Sequence, residues 1–170
     1  MKKLLLVSVV VLLVSCQQPA KENPQTQIGF DITEGVKIPL YAGNLKSVEI
    51  WENYIKAHND RDLEAIKSMN AEKDFKVYGP KGELIEGTEA HIEFLKVWFT
   101  DGTNPRWSTK FLIANEFTAK DGSLRQWVTS GHEVTFAVDG NDIKVNQVHD
   151  ALIVDGKVQK FTVNERILKE

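Results

Sequence analysis

The segment from residue 107 to residue 168 places the strongest limits on how this chain can fold. Four stretches rich in β-branched and aromatic residues are separated by short turns at 121–122, 139–142 and 155–156. The turns contain Asp-Gly pairs, which tolerate the positive φ angles of tight hairpins. We therefore predict an antiparallel meander with strands over 107–117, 124–138, 143–154 and 158–168.

Before the meander, apolar residues recur at the spacing of α-helices. Apolar residues around Trp51 and Tyr54 predict a first helix over 47–58, and Asp62 occupies a helix-cap position before a short second helix. Strands near 75–78 and 84–85 follow, and Thr88 is expected to cap a third helix. Helices gathered at one end of an antiparallel sheet predict an α+β fold, with the sheet curved around the helices.

The N-terminus has the features of a secretory signal, predicted over residues 1–15. Two lysines precede an apolar stretch over 4–14, which is too short to span a bilayer. The run Leu13-Val14-Ser15-Cys16 resembles the lipobox of bacterial lipoproteins, a family in which the cysteine is lipidated. The resemblance implies a protein anchored in a Gram-negative envelope, with its domain in the periplasm or at the cell surface. Gln17-Gln18 lacks an inner-membrane retention aspartate, which favours the outer membrane.

Composition excludes several classes of function. Removing the signal leaves 19 basic and 24 acidic residues, a balance unsuited to nucleic acid. Cys16 is the only cysteine, so neither disulfides nor a cysteine-based metal site is expected, and we predict no cofactor. A polar tether with an irregular lead-in is predicted over 16–46, and the folded domain over 47–170.

Two stretches resemble the SnoaL-like branch of the nuclear transport factor 2-like superfamily. Residues 51–66 look like its opening helix pair, and Glu86-Gly87-Thr88-Glu89-Ala90 is similar to the start of its third helix. The resemblance implies a cone-shaped, curved antiparallel sheet wrapped around the N-terminal helices, with a pocket between them. Ketosteroid isomerases, polyketide cyclases, epoxide hydrolases, dehydratases and non-catalytic binders share this fold, so the fold does not decide the function.

Alignment with ketosteroid isomerases tests one activity. It implies that Tyr54 stands where those enzymes have their oxyanion tyrosine and Asp150 where they have a protonated aspartic acid. Their carboxylate base aligns with Tyr78, and a phenol, which titrates near pH 10, is a poor base at neutral pH. We therefore expect binding of a small, partly apolar molecule without turnover.

Hairpin geometry divides the candidate residues between two sheet faces. Loops of two residues (140–141) or four residues pair Val138 with Ile143, placing Glu133 and Asp150 on one face and His132 opposite His149 on the other. The resemblance implies that Asp150 faces the pocket. The predicted ligand-binding residues are Tyr54, Tyr78, Trp98, Trp127, Glu133, Asp150 and Leu152.

The second face would then be external. It would expose the histidine pair and an apolar surface, from which we predict a homodimer formed through the sheet. Two histidines are too few ligands for a metal site, so none is predicted. The apolar residues on this face are Val128, Val134, Phe136, Val145 and Ile153.

Two other functions stay open at this point. One is an isomerase-, cyclase- or dehydratase-type enzyme that uses Asp150 and Glu133 as acid and base, with Tyr54 as a hydrogen-bond donor. The other is a dimeric protein-interaction module.

Overall fold

A computed structural model describes residues 25–168 as three helices and eight strands. In chain order the elements are β1 (Gln27–Thr33), β2 (Val36–Ala42), α1 (Leu45–Asp60), α2 (Leu63–Met69), β3 (Lys76–Tyr78), β4 (Leu84–Glu86), α3 (Thr88–Thr100), β5 (Arg106–Thr118), β6 (Leu124–Val138), β7 (Asn141–Val154) and β8 (Lys157–Ile167).

All eight strands form one curved, unclosed sheet in the order β1-β2-β5-β6-β7-β8-β3-β4. Neighbouring strands are antiparallel except β3 and β8, which pair in parallel. One face of the sheet packs against the helices, where Trp51 and Leu95 share a core cluster with Val128 and Val145. The predicted α+β cone and its meander are confirmed.

Polar side chains fix where the first two helices begin. Asn44 Oδ1 accepts a hydrogen bond from the Lys46 amide at 2.8 Å, and Asp62 Oδ1 accepts one from the Ala65 amide at 2.9 Å, as expected of N-caps. The expected Thr88 cap is wrong, because α3 begins at Thr88 itself and Gly87 is the N-cap without a side-chain bond.

The β6–β7 hairpin differs in register from the prediction. Asp139 (φ 50°) and Gly140 (φ 78°) form its turn, so that Val138 pairs with Asn141 rather than Ile143. A two-residue turn with positive φ at both positions matches the twist of the strands, and Asp-Gly suits it. His132 consequently lies opposite Gln147, not His149. Because the shift is two residues, the side chains stay divided between the two faces of the sheet as predicted.

The lead-in also differs from the prediction of an irregular segment. Residues 27–42 form the β1–β2 hairpin around Glu34 and Gly35, and Tyr41 and Ala42 of β2 pair with β5. Within residues 25–168, no helix is both long enough and apolar enough to cross a membrane. The predicted signal peptide and the lipidation of Cys16 lie outside the described residues.

Candidate functional site

The sheet face that packs against the helices is the one that carries the histidines. Val128, Val134, Val145 and Ile153 are fully buried in the core cluster. The prediction that these residues, with Phe136, His132 and His149, form an external face is therefore wrong. The apolar surface from which a homodimer was predicted is buried against the helices instead.

The hydrophobic effect explains this choice of face. The helix-facing positions of β6 and β7 include four fully buried valines and isoleucines, whereas the other face carries Glu133 and Asp150, whose burial as anions would be costly. Neutral histidines with hydrogen-bond partners are cheaper to bury than unpaired carboxylates. The apolar pattern thus outweighs the alignment that placed Asp150 inside.

Between the helices and this inner face lies a cavity of about 480 Å³. Its buried walls are largely aromatic. Its exposed lining residues mark the mouth; they are Pro80, Lys81, Glu83, Phe94 and Val138. The buried aromatic and imidazole side chains in the lining are Trp51, Tyr54, His58, His91, Trp107, His149 and Phe161.

One hydrogen-bond chain ties α1 to the sheet behind the cavity wall. Trp51 Nε1 donates to Ser130 Oγ at 2.8 Å, and Ser130 Oγ lies 2.8 Å from His132 Nε2. His132 Nδ1 lies 3.2 Å from Thr109 Oγ1, which completes the chain. Burial lowers the pKa of His132 from 6.5 to about 4, so this imidazole is neutral at pH 7.

A second network surrounds Gln147 in the cavity lining. Gln147 Nε2 donates to Glu165 Oε2 at 2.8 Å, which identifies Oε1 as the acceptor for Trp107 Nε1 (3.2 Å) and His149 Nε2 (2.8 Å). Because His149 donates through Nε2, its Nδ1 carries a lone pair. No other buried side-chain nitrogen or oxygen in residues 25–168 lacks a hydrogen-bond partner. Burial, followed by the nearby His132 and His58, holds the pKa of His149 well below 6.5.

A third network joins Tyr54, His58, Asn70 and His91. His58 Nδ1 lies 2.8 Å from the Tyr54 carbonyl oxygen, and the Tyr54 hydroxyl donates to Asn70 Oδ1 at 2.7 Å. Asn70 Nδ2 is 3.5 Å from His91 Nδ1. Burial lowers the pKa of His58 to about 4 and of His91 to about 3, and it raises the pKa of Tyr54 well above 10. All three groups are therefore neutral at pH 7.

The structure separates the predicted binding residues into two groups. Tyr54 and Trp98 line the cavity. Alternation along the strands places the other five on the outer face. Those five are Tyr78, Trp127, Glu133, Asp150 and Leu152.

On the outer face, Trp127 and Asp150 border a shallow hollow that also includes Phe30 of β1. Asp150 Oδ1 accepts a hydrogen bond from Thr129 Oγ1 at 2.6 Å, and Lys160 Nζ lies 5.1 Å from the Trp127 ring centre. The predicted convergence of Asp150 and Glu133 on Tyr54 does not occur, because the sheet stands between them.

Sequence reasoning missed His58, His91, Gln147 and Phe161 as lining residues. His58 follows Tyr54 by four residues and His91 precedes Leu95 by four, so helical spacing could have placed both histidines on buried helix faces. Among the residues described, no three His, Cys, Asp or Glu side chains are grouped so as to hold a metal ion.

Comparisons with solved structures support the fold. The chain resembles a proposed ketosteroid isomerase from Kribbella flavida (TM-score 0.58, 17% identity, 74% of this chain and 81% of that one). It also resembles an LEH-like epoxide hydrolase from M. tuberculosis (0.58, 11%, 71% and 83%). A third similar structure is a proposed SnoaL-like polyketide cyclase from Jannaschia sp. (0.56, 17%, 71% and 85%).

At these identities the likeness shows the fold alone, and that fold is the nuclear transport factor 2-like cone which the resemblance implied. No family model and no curated protein matches the chain.

Proposed function

We propose that this protein binds an uncharged, largely aromatic small molecule in the cavity and releases it unchanged. The observation that carries this proposal is the composition of the cavity wall. It combines tryptophan, tyrosine and phenylalanine rings with imidazoles that burial keeps neutral. Burying the planar apolar surface of a ligand against such a wall is favourable. The wall offers no buried counter-charge to an ion.

The positions of the acidic groups favour binding over turnover. Asp150 and Glu133 lie across the sheet from the cavity. Of the two carboxylates in the lining, Glu83 is exposed at the mouth, and Glu165 accepts a hydrogen bond from Gln147. Tyr54 is a weak acid here because burial raises its pKa, and its proton is directed at Asn70.

The probe pair 2-naphthol and 2-naphthoate tests this proposal, because the two share a ring system but only naphthoate is anionic at pH 7. Calorimetric titration of the purified chain should show 2-naphthol binding one to one and 2-naphthoate at least about tenfold weaker, since a buried anion loses its hydration. Equal or tighter binding of the anion would contradict the proposal. So would conversion of a β,γ-unsaturated steroid ketone to its conjugated isomer during incubation.

We also propose that the domain is tethered to an envelope membrane through acyl chains on Cys16. The lipobox-like run and the polar segment that follows support this. The Cys16→Ser variant lacks the thiol that would carry acyl chains. It should lose incorporated palmitate and move from the membrane pellet to the supernatant, because the buried methylenes of those chains supply the anchoring. A Ser15→Ala variant, which keeps a small residue before the cysteine, is the matched control. Membrane association that survives Cys16→Ser would contradict the tether.

A further inference from the structure

Two imidazoles in the cavity wall, His58 on α1 and His91 on α3, have ring atoms available to a ligand. Their ring centres lie 5.7 Å apart, and both residues line the cavity. In residues 25–168 neither Nε2 has a hydrogen-bond partner. Neither atom is fully buried, because His149 Nδ1 is the only fully buried side-chain nitrogen or oxygen in this range that lacks a partner. Each Nε2 atom therefore keeps accessible surface on a ring that lines the cavity.

The hydrogen bonds behind these rings decide what each Nε2 offers. A backbone carbonyl can only accept, so the contact with the Tyr54 oxygen requires a proton on His58 Nδ1. In the neutral ring, His58 Nε2 is then a bare acceptor.

The opposite tautomer is favoured for His91. Asn70 Oδ1 accepts from the Tyr54 hydroxyl, which turns Asn70 Nδ2 toward His91 Nδ1 as a donor. The proton of the neutral His91 ring then resides on Nε2. The cavity wall thus presents one acceptor and one donor on neighbouring rings.

We propose that the ligand carries a neutral hydroxyl group, phenolic or enolic, that donates to His58 Nε2 and accepts from His91 Nε2. A hydroxyl oxygen can make both bonds at once. The two ring centres are 5.7 Å apart, so both rings lie near enough for one small polar group to contact them together. The inference rests on the proposed function, because it specifies the chemical group of the molecule bound in the same cavity.

Three probes with the same ring system test the inference: 2-naphthol, 2-methoxynaphthalene and naphthalene. The methyl ether retains the acceptor oxygen and lacks the proton for His58. We expect the purified chain to bind 2-naphthol about tenfold more tightly than the ether, the effect of one buried hydrogen bond and of the acceptor left unpaired. His58→Phe should reduce this preference to about one, with naphthalene affinity recorded beside it to report the aromatic part of the site. Asp150→Asn, on the outer face, is the control and should keep the preference.

The outcomes separate this inference from the proposal beneath it. If all three probes bind equally well, the hydroxyl assignment is wrong and the aromatic cavity site stands. If none of them binds, the proposed function fails and the assignment fails with it. Should His58→Phe not fold, His91→Phe provides the second test. It removes the donor, so 2-naphthol should lose more affinity than naphthalene does. An unchanged 2-naphthol affinity in that variant would overturn the assignment.

Discussion

Lowering the pH from 7 to 5 is expected to remove much of the stability of this protein. All four histidines of the chain are buried, and the pKa values of His58, His91 and His132 fall to about 4, 3 and 4, with His149 well below 6.5. In the unfolded chain each titrates near 6.5. Below that pH the unfolded state binds more protons, so the free energy of unfolding falls as pH decreases.

The size of the effect follows from the number of protons. Each histidine contributes a slope of up to about 1.4 kcal/mol per pH unit between its unfolded and folded pKa values. Four together could remove several kcal/mol in the window from pH 6.5 to 5, above the range where surface carboxylates titrate. Thermal melts followed by circular dichroism should show a constant Tm above pH 7 and a steep fall below pH 6.

A matched variant isolates the contribution of one ring. His132→Gln keeps a side chain able to hydrogen-bond Ser130 and Thr109 but cannot be protonated. Its Tm at pH 7 should be lower than that of the parent, and its loss of Tm between pH 7 and 5 should be smaller by up to one proton's contribution. A Tm that does not change between pH 7.5 and 5 in the parent would contradict the burial of neutral histidines.

Filling the cavity should have the largest effect on binding. Val163 on β8 lines the cavity and is half-buried, so Val163→Trp introduces an indole into the space that the ligand needs. We expect the affinity for 2-naphthol, measured by calorimetry, to fall at least about tenfold, a loss of about 1.4 kcal/mol or more in binding free energy.

The same substitution on the other face is the control. Val148 is 39% exposed on the outer face of the adjacent strand, so Val148→Trp adds an equal volume away from the cavity. It should leave the affinity within about twofold of the parent value. If Val148→Trp impairs binding and Val163→Trp does not, the ligand binds on the outer face of the sheet, which carries Asp150, and the cavity is not the site.

The fold could be predicted because its signals are local. Apolar spacing around Trp51, the Asp62 cap and the Asp-Gly turns each depend on neighbouring residues, and together they predict an α+β domain. The resemblance supplied the cone shape. The β6–β7 register was missed by two residues, because several short loops can be drawn through 139–142. Only the turn at Asp139 and Gly140 decides between them.

The site could not be predicted to the same degree. Alternation divides β6 and β7 into two faces correctly, but it does not state which face meets the helices. The face with the histidines meets the helices because it also carries the buried Val128, Val134, Val145 and Ile153. Asp150 was assigned to the cavity through a resemblance, and resemblance at low identity fixes the backbone more reliably than the side chains. His58 and His91 are far apart in the sequence, and only the tertiary fold brings their ring centres within 5.7 Å of each other.

The most direct measurement is the ¹H–¹⁵N imidazole spectrum of the purified chain at pH 7, recorded with and without 2-naphthol. It reports protonation and tautomer for each of the four histidines. We expect four neutral rings, with the signals of His58 and His91 shifting on addition of 2-naphthol while those of His132, behind the wall, stay unchanged. Imidazole signals that do not respond, with backbone shifts confined to the strands around Asp150, would show that the ligand binds outside the cone.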